Sequence, residues 1–181
     1  MASIEDIIIP QQEIDHIMAM EKQIDFQHAT WQRKQKQKKQ PHLYWLELKL
    51  PFFDSDELPI PQLRALFSYR PARREDLMPS MSFIALYKNR RLFAVDQGEG
   101  LVHVNRITKV NPTAESRICG AHYHILHGKE NQETGYLLDE KYQKSSDFIE
   151  LMCYFLAKFN TVKVGNIPHP ILSNNGQMEL L

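Results

Sequence analysis

Cysteine is scarce: Cys119 and Cys153 are the only two in 181 residues. They lack the repeated spacing of a disulfide framework or a zinc ribbon, so a reduced pair is expected. No excess charge of either sign is present either, since 22 Lys and Arg balance 22 Asp and Glu. No overall field therefore draws the chain to nucleic acid or an anionic membrane, and any such binding must come from a local patch. Nowhere do about 18 apolar residues run together, so no membrane span is expected. Glu5 and Asp6 precede only Ile7-Ile8-Ile9 before Pro10, which is not the charged and apolar succession of a secretion signal. The seven glycines form no Gly-rich phosphate loop, and no internal repeat is visible. These absences point to a cytoplasmic protein without membrane contact.

What is present suits a globular chain, with hydrophobic residues at 43% and charged residues at 24%. A chain of this length fits one domain, residues 1–181, burying about 70% of its unfolded surface. Within it, residues 1–40 read as a helical segment with a basic end, 42–140 as sheet, 145–160 as a packing helix and 161–181 as an irregular tail.

Ile14, Ile17, Met18, Ile24 and Trp31 recur at three-, four- and seven-residue steps and predict a helix over 11–39. Acidic residues crowd its start, and Arg33, Lys34, Lys36, Lys38 and Lys39 crowd its end, as the helix dipole prefers. The same basic end, through Arg33, Lys34 and Lys36, is a candidate nucleic-acid contact. Residues 43–53 alternate with period two and predict a strand. Prolines 59 and 61 turn the chain toward a second strand over 62–70, with a short helix at 61–67 as the alternative. Residues 81–87 and 91–96 predict a hairpin whose turn, Lys88-Asn89-Arg90, gives Asn89 the positive-φ position. After the Gly98-Glu99-Gly100 turn an extended segment, 101–110, carries His103, and Asn111-Pro112-Thr113 breaks it. Residues 127–135 read as loop and 136–139 as a short strand. Ser145, Ser146 and Asp147 offer N-caps, with Glu150 completing a capping box. The helix that follows lines up Phe148, Met152, Phe155 and Phe159, and Asn160 can end it in the left-handed region. Together these elements predict an α+β fold: a mostly antiparallel, curved sheet of five to seven strands packed by an N-terminal and a C-terminal helix.

The densest chemistry lies in Arg117-Ile118-Cys119-Gly120-Ala121-His122-Tyr123-His124-Ile125-Leu126-His127. If 118–126 is one strand, His122 and His124 leave the same face roughly 7 Å apart. Ile118, Gly120 and Leu126 share that face, where Gly120 leaves room for a ligand, and the 127–135 loop bounds a shallow cleft. As metal ligands the pair needs further donors, for which His103, His127, Glu130 and Glu133 are available, and zinc is the natural ion. His122-x-His124 with Glu130 resembles in part the first cupin motif, which has a shorter gap to its glutamate, and the downstream cupin histidine motif is missing. As metal-free acid–base catalysts the same histidines, titrating near pH 6.5, could deprotonate a ribose 2′-hydroxyl and protonate the leaving oxygen. Arg106, Lys109 or Arg117 would then hold the phosphate. The third reading is a recognition face of Tyr123, His122 and basic residues with no chemistry.

Arg91-Leu92, His103-x-Asn105, Asn111-Pro112 and Gly120-Ala121-His122-Tyr123-His124-Ile125 together resemble a group of small bacterial proteins that carry a Gly-x-His-x-His-Ile strand after an Asn-Pro turn. The Tyr136 strand and the 148–159 helix are similar too, so the likeness covers about the last hundred residues. Such proteins are often regarded as candidate toxin components of toxin–antitoxin or phage-defence loci. The resemblance implies a cytosolic effector acting on RNA, with His122 and His124 at the matching positions and His103 separated from them by a longer gap. The function expected is accordingly a toxin-like ribonuclease, with His122, His124, His103 and Arg117 as catalytic candidates and a cognate antitoxin as partner. The alternatives are a non-enzymatic binding or inhibitor protein and a metal-dependent His-x-His enzyme.

Overall fold

The computed structural model describes residues 8–34, 45–106, 114–128 and 131–171. In chain order the elements are α1 (Gln11–Ala19), β1 (Lys22–Asp25), β2 (Gln32–Arg33), β3 (Leu46–Phe53), β4 (Pro59–Arg70), β5 (Ser80–Tyr87) and β6 (Arg90–Gln97). They continue with β7 (Val102–Val104), β8 (Arg117–Cys119), β9 (His122–His127), β10 (Gln132–Leu137), α2 (Glu140–Gln143), α3 (Phe148–Lys158) and β11 (Thr161–Val164). The fold is α+β, and it is built on a nine-stranded sheet ordered β10-β9-β6-β5-β4-β3-β1-β11, with β2 also on β3. Among the described residues only β1 with β11 is parallel. No helix among the described residues is long and apolar enough to cross a membrane.

The strands β3 to β6 form a meander in which alternate residues, such as Phe67, Phe83 and Val95, face α3 and are fully buried. Phe155 meets Phe67 at 5.6 Å and Phe93 at 5.4 Å between ring centroids, and Phe148 meets Phe83 at 5.3 Å. Burying each such ring contributes about 1.5–3 kcal/mol, so α3 anchors this face. Asp147 caps it as expected, accepting from the amides of Ile149 and Glu150 at 2.8 and 3.1 Å. Glu150 instead accepts from the Ser145 hydroxyl at 2.6 Å. The β5–β6 turn places both Lys88 (φ 50) and Asn89 (φ 63) in the left-handed region, the geometry that matches strand twist.

The expected helix over 11–39 is corrected: it stops at Ala19, because Met20 turns extended (ψ 142) and the chain enters β1. The reason lies in Lys22. Its fully buried ammonium donates to the carbonyls of Ile17 and Met20, both at 2.6 Å, satisfying the end of α1. It also lies 4.3 Å from the centroid of the Phe159 ring. Burial pushes the amine down to about 8. Ile24 and Trp31 are buried as a helix stripe would bury them, but from a strand and a loop.

The irregular tail is corrected in part. Asn160 (φ 48) does end α3 in the left-handed region, and it then directs Thr161–Val164 alongside β1 as a parallel edge strand. The sheet has more strands than the five to seven expected, and α2 adds a third helix. Prolines 59 and 61 lie inside β4 rather than before it, at exposed positions where the register with β3 shifts. Residues 132–135, expected as loop, belong to β10. The Asn111-Pro112-Thr113 break, Lys36, Lys109 and Glu130 lie outside the described residues.

Candidate functional site

The single histidine strand is broken in two. Gly120, at φ +108, separates β8 from β9, a backbone state that side-chain-bearing residues rarely adopt. Its role is therefore conformational, and its carbonyl accepts from His122 Nδ1 at 2.7 Å, which orients that ring. Before the break, β8 pairs with β7 as a separate two-stranded ribbon, with His103 opposite Ile118. After it, β9 inserts between β6 and β10. Residues directly opposite on neighbouring strands share a face. Asp96 therefore shares the face of His122, and both Ala94 and Gly135 share that of His124.

His122 and His124 do leave the same face, with ring centroids 4.7 Å apart. Against expectation they are not displayed in a shallow cleft: they are 4% and 2% exposed. The β7–β8 ribbon brings half-buried His103 onto them, 4.5 Å from His124 and 5.5 Å from His122 between centroids. A β-carbon at Gly135 would lie 2.7 Å from His103 Cδ2, so only glycine leaves this ring its place.

One ring nitrogen from each of the three histidines lies within 4.8 Å of the others. Each ring has one nitrogen tied to a neighbour. His103 Nε2 faces Asn105 Oδ1 at 3.0 Å, His122 Nδ1 donates to Gly120, and His124 Nε2 pairs with Asp96 Oδ2 at 3.0 Å. Asn105 is itself locked, donating to the carbonyls of Glu115 and Gly135 and accepting from the Gly135 amide. Asp96 accepts from the Ser82 hydroxyl at 2.5 Å and lies 3.6 Å from Arg91, which also pairs with Glu133. His124 Nδ1 is buried without a hydrogen bond, 3.8 Å from Glu133 Oε2.

Electrostatics follow from this burial. Desolvation first, then the neighbouring His124, holds His103 below the ordinary imidazole value, and desolvation does the same at His122. Both are held toward the neutral form that can ligate a metal. Burial pushes the Asp96 carboxyl up, but hydrogen bonds from His124 and Ser82, with Arg91 nearby, outweigh it and hold the group below its usual value. Tetrahedral zinc with Zn–N distances of about 2.0–2.1 Å needs nitrogens roughly 3.4 Å apart, so the three rings would close by no more than about 1.4 Å on metal binding.

The other sequence candidates fall elsewhere. Arg117 lies opposite Val104, on the ribbon face away from His103. Arg106 is exposed beside Asn105. His127 takes the opposite face of β9 from the pair, and Arg33 and Lys34 lie at the far side of the sheet, where Lys34 pairs with Glu47 at 2.7 Å. Asp96 and Gly135 were not singled out as site residues, because no local spacing announces them, and Asn105 was quoted only within His103-x-Asn105, with no role given to it. Comparison of the chain with protein-family models, curated proteins and solved structures returned no match.

Proposed function

We propose that the protein is a metal-dependent hydrolase, with zinc held by His103, His122 and His124 and an RNA phosphodiester as substrate. The observation that carries this reading is the buried Nδ1 of His124, which has no hydrogen bond while its other nitrogen is fixed by Asp96. An unsatisfied buried polar atom costs about 1–3 kcal/mol, and a cation shared with the two neighbouring rings removes that cost. One ring nitrogen of each histidine anchored on a carboxylate, a side-chain amide or a backbone carbonyl matches the supporting shell that orients metal-ligating histidines. Zinc held by these three histidines would supply Lewis-acid chemistry to a bound water or substrate oxygen. The side from which substrate reaches the site is that of His103, which is only half-buried. The RNA substrate and a toxin-like cytosolic setting with an inhibitory partner are supported by the resemblance of residues 91–125.

A metal-free ribonuclease is the second reading, favoured by the His124–Asp96 pair, in which an acid–base imidazole is oriented by a carboxylate. One experiment separates the two. Purified protein is assayed for bound zinc and for cleavage of bulk RNA, before and after chelation. Near-stoichiometric zinc, lost in His122→Ala/His124→Ala, with cleavage that stops on chelation and returns with zinc, supports the metal. Cleavage that survives chelation supports acid–base histidines, and a folded protein that neither retains zinc nor cleaves RNA refutes both.

A further inference from the structure

We infer that single-stranded RNA runs across the open face of the sheet, from Trp45 and Arg70 to the histidine cluster. This deepens the hydrolase reading and rests on it for the position of the scissile bond. Among the described residues, the face is the one opposite α3. Across it the register places His122, Asp96, Ser82, Ser68 and Glu47 directly opposite one another on five consecutive strands. Four interstrand steps of about 4.8 Å make a strip roughly 19 Å long. Its floor is low and polar, and Ser68 and Ser82 are both half-buried.

Charge points to the occupant. Lys34, Lys49, Arg70 and Arg91 line the strip against three carboxylates: Glu47, Asp96 and Glu133. Those carboxylates are already paired, Glu47 with Lys34 and Lys49, Asp96 and Glu133 with Arg91. One cation is left in excess along the strip although the whole chain is neutral. Lys49 is exposed, and the Arg70 guanidinium sits 4.9 Å from the centroid of the half-buried Trp45 ring. A cationic track with an aromatic at one end is how single strands are held, the backbone by charge and a base by stacking. Serine hydroxyls on the floor suit ribose 2′-hydroxyls, which can both donate and accept. A protein partner is less well matched, because none of the large exposed hydrophobics, such as Leu58, Val104 or Val162, lies on this strip.

The test is fluorescence anisotropy with a short fluorescein-labelled single-stranded RNA on chelator-treated protein, where no cleavage confuses binding. Arg70→Glu and Lys49→Glu are each expected to weaken binding about tenfold and to lower the salt dependence by about one phosphate contact. Trp45→Ala is expected to weaken it about tenfold through lost stacking. Lys163→Glu, on the distant edge strand β11, leaves binding unchanged. Binding indifferent to Arg70→Glu and Lys49→Glu, or no binding at all, overturns the track while leaving zinc uptake untouched. Equal binding of DNA of the same sequence overturns the assignment to RNA. Zinc uptake that fails while RNA binding stays sensitive to these charges refutes the metal and spares the track. Thermal melts of each variant confirm that the fold is kept.

Discussion

Replacing Gly135 by alanine adds one methyl group at the point where His103 lies on β10. Gly135 has no left-handed φ, so the backbone accepts alanine and the effect is steric. The new β-carbon would stand 2.7 Å from Cδ2, 3.2 Å from Nε2 and 3.3 Å from Cγ of the ring. Carbon atoms at contact prefer about 3.5–4.0 Å, so the imidazole must lift by roughly an ångström. Asn105 cannot follow it, because its amide is bonded on both sides to the Gly135 backbone. The 3.0 Å contact between Asn105 and His103 therefore breaks. Ligand distances tolerate only about 0.2 Å, so zinc affinity falls by about 10–100-fold, the usual cost of losing a supporting contact. Overpacking also costs about 1–3 kcal/mol of stability. Zinc competition against a chromophoric chelator reads the first effect and a thermal melt the second. A variant that binds zinc within about twofold of wild type, with an unchanged melt, would refute the packing of His103 on this strand and with it the three-histidine centre.

Zinc at about a hundred times its dissociation constant should add about 2.7 kcal/mol, raising Tm by roughly 5–10 °C in wild type and not in His103→Ala. Lys22, whose folded value is depressed to about 8 from 10.5, is charged in the unfolded chain and neutral in the folded one between those values. Its burial therefore opposes folding below pH 8, and stability should rise between about pH 8 and 10 by up to roughly 3 kcal/mol. Urea unfolding of wild type and Lys22→Met across that range should show the rise only in wild type. Asp147→Ala should lower stability by about 0.5–2 kcal/mol through loss of the α3 cap, read by the same titration, while zinc binding stays unchanged.

What was legible in the sequence was local. The Phe148-Met152-Phe155-Phe159 line and the Asp147 cap announce α3, the Lys88-Asn89 pair announces the β5–β6 turn, and the i, i+2 spacing puts His122 and His124 on one face. The end of α1 was hidden because Ile24 and Trp31 fall on a helical period by coincidence, and the residue that stops the helix is a lysine that looks exposed in sequence but is buried. Strand β11 was hidden because Thr161–Val164 is short and half-polar, and gains its partner only when β1 exists beside it. His103 was a candidate ligand, but nothing in the spacing from 103 to 122 shows that a ribbon doubles back to deliver it. The partners that fix the rings come from β6, β10 and the ribbon, and depend on strand pairings no local pattern contains.

The same register that hides the site from the sequence also builds it. His124 stands between Ala94 and Gly135, one strand away on either side, so its neighbours on that face are a methyl group and a hydrogen. That leaves the volume into which His103 descends, while the adjoining row sets Asp96 beside His122, close enough for its carboxylate to reach His124. On the other face the same strands present Phe93, Val95, Tyr123 and Ile125, with Tyr123 stacked on Tyr136 at 5.2 Å. A slip of one residue between β6 and β9 would send these apolar side chains into the site and the histidines toward α3. The buried face therefore holds the register, and the register holds the chemistry. Loss of packing on the α3 face should disable the histidine centre before it unfolds the sheet, which distinguishes it from a site carried on a loop.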